Sequence, residues 1–98
     1  MGNRLQFLIV CEDKLPRPFY LNKADVSMQQ LDWFVINRLG LEDDEDKDYQ
    51  LAYYDKDMTL KAMNTDADVR RMLWFAKGRK EGKSRNNPIA FWCDIIYK

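Results

Sequence analysis

Residues 53–73, YYDKDMTLKAMNTDADVRRML, hold two carboxylate pairs, Asp55/Asp57 and Asp66/Asp68, with eight residues between them. Met58-Thr59-Leu60-Lys61-Ala62-Met63 lies between the pairs and alternates apolar and polar, the period of a short half-buried strand. Val69, Met72, Leu73 and Ala76 follow at the i, i+3, i+4, i+7 spacing of an amphipathic helix. Asp66 is the expected N-cap of that helix, since a carboxylate accepts the free amides of a first turn and suits the helix dipole. The stretch therefore predicts strand, acidic turn, strand and acid-capped helix, with both pairs carried onto one edge.

Working outward, Tyr49–Tyr54 alternates as a strand, and residues 42–48 before it read EDDEDKD, an acidic loop. Further upstream, Ser27 and Gln30 form an S-x-x-Q start, and Gly40 supplies the stop of a helix opening near Met28. Its apolar stripe is Met28, Leu31, Phe34, Val35 and Leu39. Trp33 and Ile36 lie off the stripe centre. A wide core face accounts for them best, and a small exposed patch is the alternative. Leu5–Cys11 is an apolar run that predicts a central strand, residues 12–18 a proline-bearing turn, and Phe19–Asn22 an edge strand. Downstream, the second helix is expected to end by Lys77, before Gly78. A flexible basic loop then runs to Pro88, and Ile89–Tyr97 (IAFWCDIIY) is a last strand too apolar for an exposed edge. The predicted class is α+β, order β-β-α-β-β-α-β, a ubiquitin-like β-grasp with a mixed sheet.

Tyr53-x-Asp55-x-Asp57, Leu60, Met63, Asp66-x-Asp68-Val69 and Met72-Leu73 resemble the acidic signature (the OPCA motif) of the Phox-and-Bem, or PB-one, interaction domain. The aromatic two residues before the first acid, the second pair eleven residues on and the aliphatic after it all match. The resemblance spans essentially the whole chain. It implies that Asp55, Asp57, Asp66 and Asp68 receive the lysines and arginines of a partner PB-one face. Two departures stand out. Met58-Thr59 replaces the usual Gly-Asp, removing an acid and the residue most at ease with positive φ. Gln6 occupies the place of the first-strand lysine that basic members carry, which implies an acid-only receiver in a heterotypic pair. Arg4, Lys14 and Arg17 leave some basic character on that side, and with the basic loop they make weak self-association an open alternative.

Rival readings are weaker. The acids could serve only to solubilise a turn and cap a helix. Asp55, Asp57, Thr59 and Asp66 mimic positions 1, 3, 5 and 12 of a calcium loop, but Leu60 stands where glycine is required and position 12 lacks glutamate. Carboxylate-pair catalysis needs a cleft and unlike environments, and neither is signalled. Histidine is absent, which removes the commonest general base and metal ligand. No enzyme activity, metal or cofactor is expected. A nucleic-acid reading would use Lys77, Arg79, Lys80, Lys83 and Arg85 with the aromatics at 74–75 and 91–92. The plainer account makes that loop a solvated insertion. The chain ends Ile96-Tyr97-Lys98, without the terminal Gly-Gly of a ubiquitin-like modifier.

Ninety-eight residues with 46% hydrophobic content fit one folded domain, 1–98, which reads as a piece of a longer protein. Formal charge is zero, yet the charges are segregated: acids crowd residues 42–48 and the two pairs, and bases gather from Arg70 to Arg85, which attracts charged partners more than the net charge suggests. Cys11 and Cys93 sit in apolar runs and are expected to be buried free thiols in a reducing, intracellular compartment. No hydrophobic run approaches a membrane span, and Gln6 breaks the myristoylation pattern.

Overall fold

The computed structural model describes residues 3–12, 14–41 and 46–97; residues 42–45 of the acidic loop lie outside this set. In chain order the elements are β1 (Arg4–Cys11), β2 (Lys14–Asn22), a 3-10 turn (Lys23–Asp25), α1 (Met28–Leu39), β3 (Lys47–Tyr54), β4 (Leu60–Met63), α2 (Asp66–Gly78) and β5 (Ile89–Tyr97). The five strands form one sheet ordered β2-β1-β5-β3-β4. The central strand β5 runs parallel to β1 and antiparallel to β3. Two hairpins, β1–β2 and β3–β4, flank it. This mixed sheet with two helices is the ubiquitin-like β-grasp.

Strand alternation fixes the core side. Leu5, Phe7, Ile9 and Cys11 of β1, Leu51 and Tyr53 of β3, and Ile89, Phe91 and Cys93 of β5 are buried together with Leu31, Val35 and Leu39 of α1 and Val69, Met72 and Ala76 of α2. Both helices therefore cover the same face of the sheet. Phe19 sits at the centre of the aromatic packing, stacked on Phe34 at 4.4 Å and on Phe7 at 5.4 Å, with the edge of Phe91 at 6.0 Å. Helix α1 starts as expected, with the Ser27 hydroxyl accepting the Gln30 amide, and stops at Gly40 in the left-handed region.

Several expectations are corrected. β2 begins at Lys14, so Pro16 and Pro18 lie within the strand and not in a turn before it. The edge position explains how. Gln6, paired with Tyr20, sends its amide away from β2 to the Gly82 carbonyl at 2.7 Å. Pro18, two residues from Tyr20, shares that non-bonded register, so its missing amide would have faced solvent. β4 begins at Leu60, because Met58 adopts φ 60° in the preceding turn. Its alternation also points the other way: Met63 is buried, whereas Leu60 is 43% exposed. The N-cap of α2 is Thr65 and not Asp66, since Thr65 and Asp68 close a reciprocal capping box. The helix runs one residue past Lys77, to Gly78. Trp33 is 57% exposed and so is no part of a wide core face, while Ile36 is half-buried.

The basic loop is tied down rather than flexible. Gly82 donates to the Asn87 carbonyl at 2.7 Å and accepts the Gln6 amide, and the Asn87 side chain bonds the Lys80 carbonyl at 2.9 Å. Gly82 has φ 97°, and an added Cβ would lie 2.9 Å from Ile89 Cδ1, so glycine is required both by conformation and by close approach. Cys11 and Cys93 are free and buried. Burial first, and then the adjacent Cys11, pushes the Cys93 thiol up to about 12, leaving it protonated and unreactive at neutral pH.

Candidate functional site: the acidic edge along β4

β4 is an edge strand, and the two carboxylate pairs bracket it. Asp55 and Asp57 occupy the β3–β4 turn at its start, and Asp66 and Asp68 open α2 just past its end. Its four residues rise by about 10 Å. The pairs thus lie at the two ends of one edge, not in a single knot of charge. Lys56 in the turn, Lys61 on β4 and Arg70 and Arg71 in α2 are interleaved with them.

Three of the four carboxylates have internal work. Asp55 Oδ1 accepts the amides of Asp57 at 2.9 Å and Thr59 at 3.0 Å, closing the turn on itself. The Thr59 amide above all, then that of Asp57 and the nearby lysines, lowers the Asp55 pKa despite some desolvation. Asp66 is the first residue of α2, and its Oδ1 accepts the amide of Met28 at 2.8 Å, the first residue of α1. One carboxylate therefore links the amino ends of both helices, a favourable place for negative charge. Asp68 Oδ2 accepts from the Asn64 and Thr65 amides, and Oδ1 pairs with Arg71 at 2.6 Å. Those amide bonds, led by Asn64, lower its pKa as well.

Asp57 differs. Its amide bonds Asp55, but its carboxylate has no hydrogen bond or ion pair among the described residues, and it is exposed. It stands on a rigid base. Behind the turn, the half-buried Arg79 donates from Nη1 to the Asp55 carbonyl at 3.0 Å and from Nη2 to the Tyr54 carbonyl at 3.4 Å. Its Nε pairs with Glu81 at 3.1 Å. Arg79 is thus a clamp on the acidic turn, not the free basic contact expected of it. Sequence gave no sign of this pairing, because the partners are 24 and 25 residues away and are backbone carbonyls.

The remaining basic candidates fall into two groups. Lys14 and Arg17 are exposed on β2, and Lys77 and Lys80 are exposed at the end of α2 and just beyond it. Arg4, Lys83 and Arg85 gather with Gln6, Tyr20 and Gly82 around an open depression of about 240 Å³. Arg4 lies over the Tyr20 ring at 4.9 Å. The structure therefore brings cations from the 79–88 loop around Gln6, a juxtaposition of residues some 80 positions apart. None of the four aromatics of the nucleic-acid reading lines this depression: Phe91 is fully buried, Phe75 stacks on Tyr53, Trp74 is exposed on α2 and Trp92 is half-buried on β5. Among the described residues no three acidic, cysteine or histidine side chains group as a metal site requires, and no helix is long and apolar enough to cross a membrane.

No protein-family model and no curated protein sequence matches the chain. Six chains of solved structures match it. One, described as "AtNBR1-PB1 domain", superposes with a TM-score of 0.60 at 18% sequence identity, covering 98% of this chain and 99% of that one. At that identity the likeness establishes the shared fold.

Proposed function

We propose that residues 1–98 form a protein-interaction module of the PB-one type that binds the Lys/Arg-bearing face of a partner domain through its β4 edge. The observation that carries this reading is Asp57, an exposed carboxylate without a partner among the described residues, held out on a turn that Asp55 and Arg79 lock from within and behind. A preorganised charge loses little freedom when a cation docks, and the contact becomes a charge-assisted hydrogen bond. Asp66 and Asp68 extend the negative edge beyond β4, with lone pairs remaining beside their internal bonds. The motif spacing and the whole-length fold likeness to a PB1 domain support the same reading. Since Gln6 replaces a first-strand lysine, the module acts as the acidic receiver of a heterotypic pair. This is binding and not catalysis, and it requires no cofactor.

The test is light scattering after size exclusion, with the domain mixed with a basic-face PB-one domain. A 1:1 complex at low salt that dissociates as ionic strength rises is expected, because the Debye length shrinks from about 30 Å at 0.01 M to about 3 Å at 1 M. Absence of a complex at low salt with several basic-face domains would overturn the reading.

A further inference from the structure

The sheet face opposite the helices carries two adjacent apolar rows, bounded by Arg4 and Gln6 at one end and by Gln50 and Asp94 at the other. Val10, Trp92, Ala52 and Ala62 align in register across β1, β5, β3 and β4. Two residues along the strands, Pro18, Leu8 and Ala90 align across β2, β1 and β5, while Tyr54 pairs with Leu60. Leu60 is 43% and Tyr20 45% exposed, and Leu8, Val10, Ala52, Tyr54, Ala90 and Trp92 are half-buried at the surface. An antiparallel sheet with one wet face normally alternates apolar with polar residues, and here the alternation is missing from Leu8–Cys11 of β1 and Ile89–Cys93 of β5. Rows of this extent match the largest apolar patch of an ordinary monomer, and such a patch is often functional.

Charge indicates the occupant. On this face the β1–β2 half carries Arg4, with Lys83 and Arg85 beside it around Gln6 and Tyr20, whereas Lys14 and Arg17 pair with Cys11 and Ile9 and belong to the helix side. The β3–β4 half ends, at the same end of the sheet as Arg4, in the Asp55–Asp57 turn. We infer that this face packs against a second copy of the chain, sheet on sheet, about a two-fold axis running along the central strand β5. That axis lays Arg4, Lys83 and Arg85 of each copy over the Asp55–Asp57 turn of the other. The five strands span about 19 Å, so the apolar rows alone fall well short of the roughly 800 Å² per partner of a standard interface. The charged margins must contribute, giving a weak, salt-sensitive dimer with a dissociation constant on the order of 100 µM. On the axis, Trp92 meets its own copy, and at the rim Asp94, exposed on the same face of β5, faces the second Asp94.

Sedimentation velocity of the whole domain from 10 µM to 1 mM tests this, with circular dichroism confirming that each variant is folded. The expected results are a monomer–dimer equilibrium that stops at dimer and weakens with salt. Trp92→Lys, or Val10→Lys should the first fail to fold, weakens it at least tenfold, and Asp94→Asn tightens it at least threefold by removing the facing charges. A monomer at 1 mM, assembly beyond dimer, insensitivity to both lysine variants, or a dimer not tightened by Asp94→Asn would each overturn the inference.

Discussion

Replacing Arg79 with Met should release the acidic turn while keeping the fold. The guanidinium makes one good bond to the Asp55 carbonyl at 3.0 Å, a longer one to the Tyr54 carbonyl at 3.4 Å and an ion pair with Glu81 at 3.1 Å. A hydrogen bond from a charged donor is worth about 1.5–3 kcal/mol, and only the shorter one merits that range. The pair with Glu81 is mostly shielded, with 22% and 16% of the two side chains exposed, but it remains within water's reach and adds about 0.5–1 kcal/mol. The methionine retains the packing of the aliphatic stem. The expected loss is about 2.5 kcal/mol in urea unfolding, which for a domain of this size lowers the midpoint temperature by about 10–20 °C. Arg79→Lys, which keeps the charge without the fork, should lose about half as much. Amide exchange gives a second readout: Met58 and Thr59, whose amides close the turn, should exchange faster in Arg79→Met by more than the core strands do. A loss below about 0.5 kcal/mol with unchanged exchange at those amides would show that Arg79 does not hold the turn.

Other perturbations probe the same frame. Met58 adopts φ 60°, which costs a non-glycine residue about 1–2 kcal/mol, while glycine carries an entropic cost of about 0.5–1 kcal/mol, so Met58→Gly should stabilise by about 0.5–1 kcal/mol; a destabilised variant would refute the strain. Gly82→Ala should cost about 2–3 kcal/mol, because a methyl group would meet Ile89 at 2.9 Å on a backbone with φ 97°; a neutral effect in thermal unfolding would show that the loop moves aside freely. Asp55 and Asp68 have folded-state pKa values lowered from 3.8, so the stability they confer is complete above the ordinary carboxylate range and is lost as pH falls through the lowered values. From pH 5 to 8 these two groups should add no slope to the urea midpoint. Below about pH 4 the wild type should lose stability more steeply than Asp68→Asn, and identical acid slopes would contradict the assignment.

Much of the fold was legible because the periods were clean. The α2 stripe places Val69, Met72 and Ala76 in the core, and the double-sided apolarity of Ile89–Tyr97 demands a central strand. The misread boundaries share one cause, which is that local pattern does not report neighbours. Pro16 and Pro18 look like strand breakers until β2 is known to be an edge, where an absent amide does no harm. Met58 and Leu60 look like one face of a buried strand until Met58 turns to positive φ and Met63 takes the inward side. Asp66 looks like a cap, but the capping oxygen belongs to Thr65, and Asp66 reaches 38 residues back to the first amide of α1. For the candidate site, the sequence supplies the four acids and their order. It does not distinguish the three that are occupied internally from Asp57, whose carboxylate has no partner among the described residues, since that depends on amides brought close only by folding. The apolar outer face of the sheet did leave a signal, the loss of alternation in LIVC and IAFWC, although core burial alone would account for half of it.

The measurement that bears most directly on the proposed function is calorimetric titration of wild type and Asp57→Lys with one basic-face PB-one domain at low salt. Among the described residues the Asp57 carboxylate has no bond to lose, so the variant should unfold at the wild-type midpoint. Its affinity should fall at least tenfold, about 1.4 kcal/mol, with charge reversal at a close pair able to cost more. Equal affinity of the folded variant and the wild type for that partner would contradict the account, because the acidic turn would then not be where the partner binds.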